Sequence, residues 1–328
     1  MIPKLSAVSN ICGSLVISFG MALGTSHASE YPDKPITLVV PYAPGGLTDS
    51  LGRQVSHFLS KRLNQAVPVE NKPGGSSTLG GRYLANAKPD GYTIGVFDAT
   101  GITVTPQLYK TPPYESLKAF QPVTRLGNNY QVIIANLDSS VNTLSDFISH
   151  AQSNPGTPVA TPGAMGINII ELARLGKMAN FDITNVGYNG SLPLLQDVMG
   201  GQVEFAFLDL ATATNFIRTG KVKPIAVTSK TRVDLFPNVP TVAESGFPDY
   251  EALAWFGVLV PAATPKPVVD RLNDALQEFG SSKEYISWAL DRSFFPAVSE
   301  SPESFKNSLA SEIEKYTSMS RLLNLSIN

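Results

Sequence analysis

A strand-like run, a Pro- and Gly-rich turn and an amphipathic helix follow one another over residues 36–63, ITLVVPYAPGGLTDSLGRQVSHFLSKRL, and this unit constrains the chain most. Ile36, Leu38, Val39 and Val40 suit a strand buried on both faces. Leu51, Val55, Phe58, Leu59 and Leu63 then recur on one helical face. A helix start leaves its first N–H groups without intrahelical partners, and Gly45 and Gly46 let the main chain come close to whatever those groups face. Such a geometry binds anions. Residues 159–175, VATPGAMGINIIELARL, repeat the plan about half a chain later. Two amide clusters are thereby available to one ligand.

The first 28 residues are read as an export leader. Lys4 precedes a mainly apolar run through Ile11, Leu15, Val16, Ile17, Phe19, Met21 and Leu23, and Ser26-His27-Ala28 supplies the small residues of a cleavage site after Ala28. Ser14, Ser18 and Gly20 interrupt the run, which falls short of the roughly 20 apolar residues of a membrane span. Export to the periplasm is therefore expected.

Cys12, the single cysteine, lies in that leader, so the exported chain forms no disulfide. It must rely on an ordinary apolar core, for which its length is ample, in two domains. Cleavage removes one of 25 basic residues and none of the 27 acidic ones, a balance of −3 that points away from nucleic acid. No later segment is apolar enough to cross a bilayer.

Along the remaining chain, short apolar runs alternate with helical periodicity, which predicts α/β layers with mainly parallel strands. Strands are expected at 36–40, 67–70, 93–97, 131–135, 158–160, 184–188, 203–208, 224–228 and 256–260. Leu144, Phe147, Ile148 and Ala151 form one helical stripe. After Pro265 the pattern turns mostly helical, with Val268, Val269, Leu272, Leu276 and Phe279 on one stripe and Phe305, Leu309, Ile313 and Tyr316 on another.

Raw material for catalysis is scarce. Beyond the leader only His57 and His150 remain, both in helical patterns among polar neighbours and read as surface residues. Zinc, copper or haem ligation and Ser-His-Asp or Cys-His catalysis are thereby disfavoured, and no metal or cofactor is expected. Residues 73–82, PGGSSTLGGR, have glycines at nucleotide-loop spacing but Gly81-Arg82 where Lys-Ser/Thr is required. This is read as a tight turn before a helix at 82–86, with a place in a cleft rim as the alternative.

Read together, residues 31–36 (YPDKPI), 39–49 (VVPYAPGGLTD), 69–74 (VENKPG), 88–93 (KPDGYT), 122–124 (PVT) and 187–191 (GYNGS) resemble the receptors of the tripartite tricarboxylate transporter family, the Bug-type periplasmic solute-binding proteins. The resemblance continues through 200–203 (GGQV), 226–229 (AVTS), 239–246 (VPTVAESG), 255–257 (WFG) and 262–273 (AATPKPVVDRLN), in shared order over some 240 residues. It implies a two-lobe periplasmic-binding-protein fold of type II-like design, with a ligand cleft between the lobes. Lobe 1 would comprise 29–128 and 256–328, and lobe 2 would comprise 129–255, with crossings near 127–129 and Trp255. Trp255 is read as hinge packing. In this family a carboxylate is held between the two loops, partly through backbone amides and ordered water.

Carried over residue by residue, the first loop offers Tyr42, Ala43, Gly45, Gly46, Leu47, Thr48 and Asp49. Thr48 or Asp49 can cap the following helix. A naked carboxylate facing a carboxylate ligand costs binding energy, so Asp49 is expected to cap or orient; direct contact would signal an ammonium or hydroxyl on the solute. The second loop offers Gly163, Ala164, Met165 and Gly166, chiefly through backbone donors. It departs from the family, whose members commonly place a His where Ile169 stands, and a pocket edged by Leu47, Met165 and Ile167 would favour an apolar or aromatic body. Strand C-terminal ends add Asp98, Thr100, Tyr188, Asn189 and Asp209. Asp209 is either a ligand contact, or a helix cap or inter-lobe hydrogen bond.

The expected function is a non-catalytic, monomeric periplasmic receptor that closes on a small carboxylate and delivers it to a membrane permease of the tripartite type, or to a sensor protein. The alternative is an exported enzyme acting on a carboxylate derivative, with Asp49, Asp98 and Asp209 as acid and base.

Overall fold

The computed structural model describes residues 1–3 and 31–327. The leader expected over 1–28 therefore lies almost wholly outside the described residues. From Pro32 onward the chain forms one unit. It runs β1 (Thr37–Val40), α1 (Leu47–Arg62), β2 (Val69–Asn71), α2 (Thr78–Ala85), β3 (Thr93–Asp98), a π-helical turn (Thr100–Val104), α3 (Thr105–Leu108), α4 (Ser116–Ala119) and β4 (Phe120–Ala135). It continues with α5 (Leu144–Ser153), β5 (Thr157–Thr161), α6 (Ile167–Ala179), β6 (Ile183–Gly187), α7 (Ser191–Met199), β7 (Phe205–Asp209), α8 (Leu210–Arg218) and β8 (Lys223–Val227). The last part is β9 (Leu253–Pro261), α9 (Lys266–Ser281), α10 (Lys283–Leu290), β10 (Phe295–Pro296) and α11 (Pro302–Leu322).

The strands hydrogen-bond in the order β2-β1-β3-β9-β4-β7-β5-β6, with β8 and β10 also paired to β4. The outer strands are parallel, β1 with β2 and β3, β5 with β6 and β7. The pairs made by β4 and β9 are all antiparallel. The sheet is thus mixed, where alternation of strands and helices had predicted a mainly parallel one. The cause is the pairing of β4 and β9 with strands distant in the chain, which no local pattern announces even where the strand itself was expected, as at 256–260.

β4 is the spine. Residues 120–130 of this strand pair with β9, and 131–135 pair with β7 and β8, so its partners change between Tyr130 and Gln131. Only residues 131–135 read as a strand in sequence, because the preceding FQPVTRLGNNY lacks a clean apolar period. Beyond the switch, side chains alternate: Val132 and Ile134 join Leu194, Leu195 and Leu208, while Ile133 packs with Phe147, Leu172, Leu175 and Phe207. Period-two alternation thus builds a core on each face.

Trp255, fully buried in β9, meets Phe305 of α11 edge to face at 5.1 Å and packs behind the strand crossing. His57 is exposed; His150 is partly so, lying against Phe205 at 5.3 Å. Close packing along β4 is tested at Gly127, where an added Cβ would sit 2.5 Å from the Phe294 ring and 2.7 Å from the Phe295 carbonyl oxygen. Gly127→Ala is expected to lower unfolding free energy by about 2 kcal/mol through overpacking, measured by urea denaturation.

Candidate functional site

A cavity of about 250 Å³ opens where the C-terminal ends of β3, β5 and β7 meet the crossing strands β4 and β9. Asp98, Gln131, Asp209, Ala254 and Phe256 contribute from the strands. Three helix starts complete the wall: Gly46, Leu47 and Thr48 at α1, Ile167 and Asn168 at α6, and Gly190, Ser191 and Leu192 at α7.

These three starts share a property. Their N-cap residues are Gly46, Gly166 and Gly190, and none has a side-chain cap. By contrast α5, α8, α10 and α11 are capped by the side chains of Thr143, Asp209, Ser282 and Ser301, while α2, α3, α4 and α9 also lack a side-chain cap but do not start on this cavity. In α1 the first helical hydrogen bond is Ser50 N–H to the Gly46 carbonyl, and in α6 it is Ile170 N–H to the Gly166 carbonyl. The N–H groups before them therefore keep their donors for something else. Three positive dipole ends on one hollow offer an anion main-chain donors, in a lining that also holds the carboxylates of Asp98 and Asp209.

Asp49 lies beside this wall but does not line it. Its carboxylate, 2 % exposed, accepts from Arg53 Nε at 2.9 Å and Nη2 at 3.0 Å, from Asn71 Nδ2 at 2.9 Å and from the Gly45 N–H at 2.9 Å. Burial alone would raise its pKa, yet these hydrogen bonds outweigh that and hold it below the usual carboxylate range. Asp49 orients the loop: by bonding Gly45, whose φ is +99°, it fixes the turn that presents Gly46. Capping of α1 by Thr48 does not occur.

Asp98, 7 % exposed, accepts from the Tyr42 hydroxyl at 2.9 and 3.1 Å and weakly from the Gly101 N–H at 3.4 Å. Desolvation by burial pushes its pKa up to about 6; these hydrogen bonds oppose the rise and the charge of Asp209 adds to it. Burial and Asp98 together push the Tyr42 hydroxyl far above its ordinary value, so it stays a donor. Asp209 accepts from the Thr212 N–H at 3.0 Å and the Ser191 hydroxyl at 2.6 Å. It therefore caps α8 and lines the cavity as well.

Of the residues singled out from sequence, Tyr42, Ala43, Gly46, Leu47, Thr48, Asp98, Thr100, Asn189 and Asp209 line this cavity. Gly163, Ala164 and Tyr188 line an adjoining hollow of about 190 Å³, whose wall also includes Tyr42, Ala43, Pro162, Asn189 and Gly190. The Tyr188 hydroxyl donates to Asp197 at 2.7 Å, and burial with that carboxylate pushes its pKa up to about 12. Gly45, Asp49, Met165 and Gly166 line neither hollow. The Met165 N–H donates to the Ser76 hydroxyl at 3.3 Å, and a Cβ on Gly166 would meet the Thr100 methyl at 2.7 Å. The 163–166 turn is thus occupied with the facing loops, and the start of α6 behind it reaches the cavity.

Sequence reasoning missed Gln131, Asn168, Phe256 and the start of α7. The signal for α7 was present, since Asn189-Gly190-Ser191 after a strand repeats the strand, glycine, helix order of the first loop. The glycine-rich 73–77 loop, read as a turn or cleft rim, lines the adjoining hollow, and α2 begins at Thr78, earlier than expected. Among the described residues no group of three metal-binding side chains exists, and no helix is long and apolar enough to cross a membrane.

The sequence pattern of the tripartite tricarboxylate transporter family receptor matches residues 51–322. A Pseudomonas sp. (strain P51) protein described as a UPF0065 protein in the tcbD-tcbE intergenic region is 31% identical, with 92% of this chain and 90% of that one covered. Among solved structures, the periplasmic binding protein BugD superposes with a TM-score of 0.84 at 29% identity, over 90% of this chain and 99% of that one. R. palustris Rpa4515 with adipate has a TM-score of 0.84 at 27% identity, over 90% and 99%. MatC (Rpa3494) from Rhodopseudomonas palustris with bound malate has 0.84 at 28%, over 88% and 99%. The fold is that of the periplasmic binding proteins, and the chain belongs to the tripartite tricarboxylate transporter receptor family.

Proposed function

We propose that this protein is a periplasmic receptor that captures a small carboxylate in the cavity between α1, α6 and α7 and delivers it, unaltered, to a membrane permease. The observation that carries this reading is the trio of glycine N-caps without side-chain caps around one hollow. A carboxylate there would accept from several preorganised main-chain donors at once, with little reorganisation. Bound adipate and malate in two relatives support the ligand class, and the family's transporter supports the permease. Export is supported by the apolar leader ending at Ser26-His27-Ala28.

The change of β4 partners between Tyr130 and Gln131, matched by the β9 pairing of Tyr130 with Leu253, supports hinge crossings there. Lobe 1 would then be 29–128 with 256–328, and lobe 2 would be 129–255, within a few residues of the switch. Ligand bridging α1 of one lobe and α6 and α7 of the other would stabilise the closed form by its differential affinity for it.

Gly46→Val tests the site. Gly46 has φ −78° and ψ 179°, which a β-branched residue adopts readily, and a Cβ there would meet nothing within 4 Å. The variant should therefore fold with stability within about 0.5 kcal/mol of wild type. Its side chain would obstruct the approach to the α1 donors, so the stabilisation by bound ligand, about 2.7 kcal/mol at a hundredfold excess over Kd, should vanish in a thermal-shift assay. Undiminished stabilisation would count against the α1 loop. Recovery of intact ligand by mass spectrometry after incubation supports a receptor, whereas turnover would support an enzyme.

A further inference from the structure

We infer that the solute is a zwitterion whose carboxylate meets the helix starts and whose cationic nitrogen meets Asp98 and Asp209. This rests on the carboxylate-receptor reading above and narrows its ligand class.

Elsewhere the chain supplies its sequestered acids with a cation. Asp49 is held by the Arg53 guanidinium in a two-point contact. Glu171, fully buried, is paired with Arg174 at 2.7 Å and approached by Lys315 at 3.7 Å. Glu312 has Arg125 and Lys315 as its charged neighbours. Asp98 and Asp209 are different. Their donors are a phenol and a peptide N–H for one, an alcohol and a peptide N–H for the other, all neutral. Among the described residues no Lys, Arg or His lines the cavity. Two carboxylates thus share one concave space with no basic side chain beside them, and only the partial charges of helix starts and neutral donors face them.

Such a site is completed by a cation on its ligand. A neutral hydroxyl would fill a lone pair but leave both charges uncompensated, and an ionised dicarboxylate would bring a second negative group against them. A separate observation places an unfilled donor in the same cavity. Gln131, 1 % exposed, accepts from Asn168 Nδ2 at 2.6 Å through its oxygen, which leaves its own amide N–H groups without a partner among the described residues. Gln131 stands opposite Asp209 in the β4–β7 register. An acceptor and a cation within one small molecule would satisfy both, which is the pattern of an amino acid or betaine.

The test is calorimetric titration of the exported protein at pH 8 with four series of matched length. These are zwitterions from glycine and its betaine to ε-aminocaproate, dicarboxylates from malonate to adipate, the simple monocarboxylates, and the corresponding alkylamines. The expected result is a best zwitterion at least tenfold tighter than the diacid and the monocarboxylate of its length. Asp98→Asn and Asp209→Asn should each shrink that ratio at least tenfold by weakening the zwitterions, while monocarboxylate affinity rises or holds because a like charge has left the cavity. A merely structural effect of either substitution would weaken every series alike. Diacids binding as tightly as zwitterions, with or without added calcium, would overturn the inference and leave the carboxylate receptor standing, as would failure of every zwitterion at millimolar concentration while another acid binds. Alkylamines binding as tightly as zwitterions would instead sink the carboxylate reading, and silence from all four series would reject both.

Discussion

At pH 8, Asp98→Asn is expected to be more stable to unfolding than the wild type by about 2 kcal/mol, and to lose that advantage near pH 4. Asp98 is buried, and desolvation pushes its folded pKa up to about 6, well above the ordinary aspartate value of about 3.9. Between those values the folded protein holds the proton more tightly than the unfolded chain, so wild-type stability falls as pH rises from about 4 through 6. Above pH 6 the whole cost is present. At about 1.4 kcal/mol per pKa unit it reaches roughly 3 kcal/mol, reduced in the variant because the new amide needs an acceptor of its own. The groups facing Asp98 are Tyr42, Gly101 and the charge of Asp209, and none of the three supplies a positive charge. Urea denaturation of both proteins across pH 4–8 measures the difference; a constant offset would deny that Asp98 is strained. A carboxylate kept at a stability cost in a ligand cavity is characteristic of a binding group. The same ionisation predicts that zwitterion affinity rises with pH through about 6.

Glu171→Ala should do the opposite and cost about 3–5 kcal/mol, the largest loss expected from a single substitution here. Glu171 sits in the middle of α6, fully buried, and accepts from Arg174 Nε at 2.7 Å and the Tyr316 hydroxyl at 3.2 Å. Its main-chain carbonyl accepts from the Tyr250 hydroxyl at 2.8 Å. Arg174 is itself held, donating to the Glu251 carbonyl at 2.7 Å and lying over the Tyr250 ring at 4.2 Å. Removal of the carboxylate would leave a guanidinium and a buried phenol without their acceptor. Glu171→Gln, which preserves volume and one acceptor, should lose about half as much. Equal losses for Ala and Gln would show that charge, and not packing or hydrogen bonding, carries the term. Because the start of α6 faces the cavity while its middle is anchored on α11, the Ala variant should also bind ligand more weakly.

The first strand-loop-helix unit could be read in sequence because its determinants are local. Apolar residues at strand and helix periods flank two glycines, and the loop donors follow from helix geometry alone. The orienting role of Asp49 was legible too, since an acid at the third helical position is within reach of the preceding turn. Asp209 was left open between cap and ligand wall and occupies both places. The start of α7 was overlooked, although Gly190-Ser191 has the grammar of the first loop, because it lacks the adjacent Pro-Gly-Gly of residues 44–46.

The sequence by itself determined the α/β class and the glycines that free main-chain donors, because each depends on residues close together in the chain, and it determined the family through short segments kept in one order along most of its length. Only the tertiary structure decided that β4 and β9 run antiparallel through the middle of the sheet, that Gln131 and Phe256 enter the cavity, and that in the 163–166 turn the Met165 N–H donates to Ser76 and the Gly163 N–H to the Thr161 carbonyl. Asp98 and Asp209 were both expected at the cleft from their places at strand ends, and the tertiary structure added that no basic side chain joins them among the described residues lining the cavity. Those outcomes depend on which distant strands pair and what their closure dehydrates, and no short-range pattern encodes them.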